Sequence, residues 1–221
     1  IDMTIQAIAE KYLAQACVDN VCTGGGNIII SNPKTGDILA MANYPNYNLN
    51  SPYEPSSEEM KNIWSSLSES DKIKNMQAMW RNKAISDTYE PGSTFKIITA
   101  ATGLEEGIVT TDNRGDFYCA GSEQVSSVTM NCWRHNNPHG SESLRDALAN
   151  SCNPAFIQLG RKIGAKTLYK YYRAFGLFNR TNPYFYGESN SVFFPENNIN
   201  EFNVATMSFG QRFTITPIQL I

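Results

Sequence analysis

Apolar residues recur at helical spacing at the start of the chain, where Ile5, Ile8, Ala9, Tyr12, Leu13 and Ala16 predict an amphipathic helix over residues 3–17. Gly24-Gly25-Gly26 ends that pattern, and the period changes. The stretches NIII, SNPKTGD and ILAMAN read as strand, tight turn and strand, a β-hairpin with Gly36 in its turn. Residues 45–75 are rich in Asn, Ser, Pro and Glu and predict a long surface excursion. Met76 to Lys83 reads as a short helix.

Beyond Ser93, residues Phe95, Ile97, Ile98, Ala100, Ala101 and Leu104 are apolar on nearly every side, which predicts a buried helix ending near Gly103 or Gly107. Residues 110–142 are rich in Ser, Asn and Gly with little periodicity, so something other than a hydrophobic face has to order them. Ser143 suits the N-cap of a short helix through Leu144, Ala147 and Leu148. Pro154 suits the first turn of a helix carrying Phe156, Ile157, Leu159 and Ile163, which stops at Gly164. Leu168, Tyr171, Tyr172 and Phe175 define another, ending at Gly176, and residues 179–203 again read as loop.

Composition narrows the class. The 221 residues suffice for one large domain or two small ones, and 41% hydrophobic with 18% charged residues describes a globular chain with a sizeable core. A net charge of −3 supplies no electrostatic reason to bind nucleic acid or an anionic membrane. No apolar run approaches the ~20 residues of a membrane span, and no signal peptide is visible. Starting at Ile1 without a methionine, the sequence reads as a piece of something longer.

Candidate chemistry begins at YEPGSTFKIITA. Ser93 and Lys96 lie one helical turn apart, on one face, at the head of the apolar run. A hydroxyl and an amine there are costly to bury unless they serve something. The pattern is weak alone, because Ser31 to Lys34 repeats it in the hairpin turn, where Pro33 disfavours helical geometry. Ser151-Cys152-Asn153 supplies context, as the only Ser-x-Asn in the chain. It links two short helices, so Ser151 and Asn153 can face a cleft while Cys152 faces away.

The pair STFK and SCN resembles the first two motifs of penicillin-binding proteins and serine β-lactamases. The stretches PKTGDILAMANYPNYNLN, CWRHNNPHG, ALANSCNPAF and FGQRFTITPIQL are similar to class B penicillin-binding proteins, most of all the elongation and sporulation enzymes of Gram-positive bacteria. The resemblance implies an α+β fold, an antiparallel sheet flanked by helices plus a helical region, with one transpeptidase domain portion over residues 1–221. Within it, 1–44 form the N-terminal helix and hairpin, 45–75 the excursion, 76–178 the catalytic helical region and 179–221 a loop-rich segment. The family's Lys-Thr-Gly motif follows Ser-x-Asn, whereas Lys34-Thr35-Gly36 precedes it and matches the ordinary hairpin; the sequence stops at Ile221, before the last sheet strands.

The implied function is a peptidoglycan D,D-transpeptidase acting through an acyl-serine and acylated by β-lactam antibiotics. Ser93 is the expected nucleophile, a neutral Lys96 its base, Ser151 a proton relay and Asn153 a substrate-binding amide. The partners implied are peptidoglycan stem peptides and a cell-wall glycosyltransferase, with no nucleic acid. The setting implied is extracytoplasmic, anchored to the membrane by a segment outside this sequence. A serine β-lactamase and a non-catalytic β-lactam receptor or scaffold module are the alternatives.

Five cysteines complete the inventory, and three of them fall within 34 positions that also hold both histidines. Cys119, Cys132, His139 and Cys152 supply three thiolates and an imidazole, a tetrahedral set suited to structural zinc. A Cys119–Cys132 disulfide and simply packed thiols are the alternatives, with His135 an alternative to His139 and Asp116 to Cys119. Cys17 and Cys22 form a local disulfide or stay free.

Overall fold

The computed structural model describes residues 1–181 and 186–221. Asp2 starts the first helix by accepting from the backbone N–H groups of Thr4 and Ile5, and α1 runs Met3–Asp19. Strands β1 (Gly26–Ser31) and β2 (Ile38–Tyr44) form the antiparallel hairpin, with Gly36 at φ 76° in the turn. Ala9, Leu13 and Cys17 of α1 bury against Ala40 and Ala42 of β2, a small core of its own.

Residues 45–75, none of them buried among those described, hold helices instead of continuous loop. Ser57 caps α2 (Glu58–Ile63), and Ser68 caps α3 (Glu69–Trp80), which absorbs most of the helix expected over 76–83. A separate α4 (Lys83–Ser86) begins after the Asn82 cap. These helices bury no continuous apolar stripe, so no periodicity marked them; their serine caps and (i, i+3) ion pairs such as Lys72–Glu69 were the legible signals.

Helix α5 (Lys96–Glu105) follows a 3-10 turn over Gly92–Phe95. It is not apolar all round as expected. Its buried face carries Lys96, Thr99, Ala100, Thr102 and Gly103, while Ile97 is 65% exposed. The stretch 110–142 holds four short strands instead of loop: β3 (Phe117–Cys119), β4 (Ser122–Val125), β5 (Val128–Asn131) and β6 (Gly140–Glu142). Antiparallel β3–β6 and β4–β5 pairs of three and four residues are too short for alternation to be read.

The helices after them match the expected positions: α6 (Leu144–Ala149) with a Ser143 capping box, α7 (Asn153–Ile163) with Pro154 in its first turn, and α8 (Ala165–Ala174). The expected loop 179–203 holds a 3-10 turn at Glu196–Asn198 and the start of α9 (Glu201–Met207), while residues 182–185 lie outside the described residues. A short α10 (Pro217–Leu220) follows. Helix α7 is the central element. Its Phe156, Ile157 and Leu159 are buried in the main core, and Arg161 binds Glu123, Gln124 and Glu201, fastening the β4–β5 hairpin to α9.

The 3-10 turn is held from two sides. Phe95, fully buried, packs edge-on against Tyr172 and Phe213 at ring separations of 5.2 and 4.7 Å. Residues 208–215 strap the other side: Gly92 N–H donates to Gly210 O at 2.8 Å, Arg212 N–H to Glu90, and Tyr89 exchanges both backbone bonds with Ile215. Gly210 sits at φ 84°, and a Cβ there would lie 2.0 Å from Gly92 O. Gly210→Ala should therefore cost about 2 kcal/mol or more, seen as a melting temperature lower by roughly 4–8 °C. A melting temperature equal to wild type would show that the strap does not hold the turn.

Candidate active site

Lys96 is fully buried, and its amine donates to three oxygens from one short stretch: Ser151 O at 2.8 Å, Ser151 Oγ at 3.0 Å and Asn153 Oδ1 at 2.7 Å. The Phe156 ring lies beneath it, 5.3 Å from the nitrogen to the ring centroid. Burial holds its pKa down at about 8, opposed by the nearby Cys152, Cys132 and Glu142. Three turns and caps make this geometry. The 3-10 turn leaves Ser93 exposed three residues before Lys96, and among the described residues none of the amine's bonds reaches Ser93.

The end of α6 presents the acceptors. Ser151 occupies the left-handed region at φ 49°, where glycine is usual. Its N–H bonds Leu148 O at 3.1 Å, and Cys152 N–H bonds Ala147 O at 2.9 Å, the paired closure of a Schellman motif. This bend points both Ser151 oxygens at Lys96. Cys152 then caps α7, with its side chain turned away from the amine and fully buried. The expectation that Ser151 and Asn153 share one side and Cys152 takes the other matches this geometry.

Behind Cys152, the sulfur atoms of Cys119, Cys132 and Cys152 and a ring nitrogen of His139 all lie within 4.8 Å of one another. The β3–β6 register sets Cys119 opposite Gly140, next to His139. Cys132 leaves β5 with its N–H on Gly121 O. His139 Nδ1 stands 3.6 Å from Cys132 Sγ, the edge of about 3.5–3.8 Å expected between ligands of one tetrahedral ion. All five cysteines are free, so Cys119 and Cys132 are not bridged. His135 is exposed, and the His139 side chain is 2% exposed, which separates the two histidines.

Glu142 belongs to this cluster and had no sequence signal beyond its closeness to His139. Its side chain is 1% exposed, accepts from Asn150 Nδ2 at 2.9 Å and lies 3.8 Å from His139 Nδ1. Burial, then Glu142, pushes the Cys152 thiol up, and burial also raises Cys132. His139 Nε2, Glu142 Oε2 and Asp116 Oδ2 are buried with no hydrogen-bond partner among the described residues. Trp133, in the CWRHNNPHG stretch, joins the cluster. Its indole N–H donates to Asn150 O at 2.8 Å and its ring meets His139 edge-on, joining the cluster to the residue before Ser151.

The model of the penicillin-binding protein transpeptidase domain matches residues 26–221. The chain belongs to that family. This transpeptidase-family chain is 33% identical to stage V sporulation protein D of Bacillus subtilis over 221 residues, covering 100% of this chain and 31% of the relative. It is 34% identical over 187 residues to the peptidoglycan D,D-transpeptidase PbpA of Mycobacterium tuberculosis, 83% of this chain and 36% of the relative. It therefore spans about a third of the length of these curated relatives. Among solved structures, the imipenem acyl-enzyme complex of penicillin-binding protein A from M. tuberculosis superposes with a TM-score of 0.77 at 29% identity, covering 100% of this chain and 49% of that one. The α+β transpeptidase fold expected from the motifs is thus the fold the chain has.

A depressed lysine pKa makes a signed prediction for this family member. Lys96 titrates near 8 when folded against a reference of 10.5, so the unfolded chain binds more protons between those values. The cost of burying the charged amine is in full force below pH 8 and is relieved as pH climbs toward 10.5. The stability of wild type relative to Lys96→Met, from denaturant melts, should rise across that window. A constant difference would place the amine's titration outside it.

Proposed function

We propose that the chain carries the acyl-transfer machinery of a peptidoglycan D,D-transpeptidase. The observation that carries this reading is the buried amine of Lys96, bonded to Ser151 and Asn153 and one turn from an exposed serine. At pH 7 a pKa of about 8 leaves about a tenth of the amine neutral, enough to serve as a base. Neutral Lys96 takes the Ser93 proton while Oγ attacks the penultimate D-alanine carbonyl of a stem peptide. The Ser93 N–H is one donor to the oxyanion. As the tetrahedral centre collapses, its C–N bond breaks and Ser151 passes the proton from Lys96 to the departing D-alanine amine. Asn153 holds the substrate backbone. An amine of a second stem peptide then attacks the acyl-serine, forms the cross-link and returns the proton to Ser93.

β-Lactams acylate the same serine in this reading. In the full-length protein treated with penicillin, intact-mass spectrometry should detect one stable adduct, absent from Ser93→Ala. The acylation rate of wild type should rise with pH to a plateau, half-maximal near pH 8, as Lys96 loses its proton. An adduct on Ser93→Ala, or a flat profile, overturns the assignment. Rapid loss of the adduct would instead mark a β-lactamase, and a stable adduct without cross-linking activity a receptor.

The Cys119, Cys132, His139 and Cys152 cluster fits a structural zinc. Three buried sulfur atoms beside a buried carboxylate favour a cation between them, and the 3.6 Å sulfur–nitrogen edge suits one. Four protein ligands leave no position for water, so the ion would neutralise charge and order residues 116–142 without entering the reaction. Elemental analysis should find about one zinc per chain in protein purified without added metal. Cys132→Ser or chelation should lower both the melting temperature and the acylation rate. Metal content near zero with full activity removes the ion from the account.

The wider setting follows the same reading. Stem peptides are the substrates, a cell-wall glycosyltransferase is the working partner, and the site is extracytoplasmic. Among the described residues no helix is long and apolar enough to cross a membrane.

A further inference from the structure

The end of α1 repeats the backbone closure found at Ser151, with a thiol at both contact positions. Val21 takes φ 52°, its N–H bonds Val18 O at 3.2 Å, and Cys22 N–H bonds Cys17 O at 2.9 Å. In such a closure the residue donating back to the last turn packs its side chain on the residue whose carbonyl it uses. Here those two residues are Cys22 and Cys17. Cys17 is 5% exposed in the small core under α1, whereas Cys22 is exposed. Cys22 is near enough to help push the Cys17 thiol up, after burial itself.

The bend that brings them together is a strained one. A β-branched residue in the left-handed region is a genuine outlier, and such strain persists only where the surroundings fix it. Two backbone bonds fix it from the helix side. From the other side, Lys83 Nζ donates to Gly24 O at 2.8 Å, and Gly25 N–H to Cys22 O at 3.0 Å. The backbone bend that sets Cys22 over Cys17 is therefore held before any bond forms.

We propose that Cys17 and Cys22 are a thiol–disulfide exchange site that closes a covalent staple at the C-terminus of α1. The exposed Cys22 thiolate attacks one sulfur of a small disulfide such as glutathione disulfide, expelling one glutathione thiolate. The Cys17 thiolate then attacks Cys22 Sγ in that mixed disulfide, forming the Cys17–Cys22 bond and expelling the second glutathione. Two protein thiols are oxidised and one disulfide is reduced, and the two thiol protons end on the two departing glutathiones. The staple is independent of the acyl-transfer reading and of the cluster at Cys152.

Trypsin isolates the pair, because Tyr12–Lys34 contains both cysteines and none of the other three. The folded protein is equilibrated across a series of reduced-to-oxidised glutathione ratios, quenched in acid, alkylated and mapped without reduction. The expected result is a peptide that loses both alkyl groups together, closed in more than about nine-tenths of molecules at equal reduced and oxidised glutathione. Cys17→Ser should instead trap glutathione on Cys22. Two alkylated cysteines across the whole series, or a persistent glutathione adduct on wild-type Cys22 beside a free Cys17, overturns the proposal.

Discussion

A buried ammonium is the constraint on which the rest of this structure depends. Lys96 is fully buried, and a lone charge in such a place is costly unless oxygens replace the lost hydration. Three do, and all come from Ser151 and Asn153. One residue can offer both its carbonyl and its hydroxyl to the same nitrogen only if the chain bends sharply, and Ser151 bends into the left-handed region to do it. Glycine would adopt that conformation freely but would bring no Oγ. Backbone strain at Ser151 and the contact to Lys96 are therefore one feature seen from two sides.

Strain of this kind must be held, and each neighbouring element holds it. The Ser143 capping box fixes the start of α6, the Schellman closure fixes its end, and Pro154 fixes the first turn of α7. Asn150 is tethered twice, through its side chain to Glu142 and through its carbonyl to Trp133. Both tethers lead to the sulfur and imidazole cluster. The cluster and the amine therefore share a three-residue wall whose two outer residues face Lys96 and whose middle residue, Cys152, faces the cysteines. Nearby acidic groups on the cluster side also oppose the fall in the Lys96 pKa, so the two sites are electrostatically as well as mechanically joined.

Local grammar explains what the sequence alone disclosed. The caps at Ser143, the proline at 154 and the glycines at 164 and 176 each act within one turn, and the helices they bound appear where the pattern puts them. The same logic fails over residues 45–75, where α2 and α3 lack an apolar stripe, and over 110–142, where strands of three or four residues have too few positions to show a period. The motifs around Ser93 and Ser151 name the elements of the site, but the left-handed turn at Ser151 has no residue-type signal. The contacts of Glu142 and Trp133 were invisible for another reason. A lone glutamate and a lone tryptophan in a polar loop look solvated until the fold buries one and bonds the other.

Ser93 and Lys96 lie one turn apart at different depths. In a 3-10 turn residues three apart eclipse, so the two side chains line up along one side of the chain. The 3-10 turn tightens the chain ahead of α5, and Phe95 is driven into the aromatic cluster between them. Serine is thereby left at the surface while the amine three residues on is fully buried. The strap from Gly210 to Ile215 is what keeps that turn from relaxing, because Gly92 is bonded to a glycine whose missing Cβ is the only reason the two backbones can meet. An exposed hydroxyl and a buried amine thus coexist within one turn of chain, and the segment that straps that turn lies more than a hundred residues away in sequence.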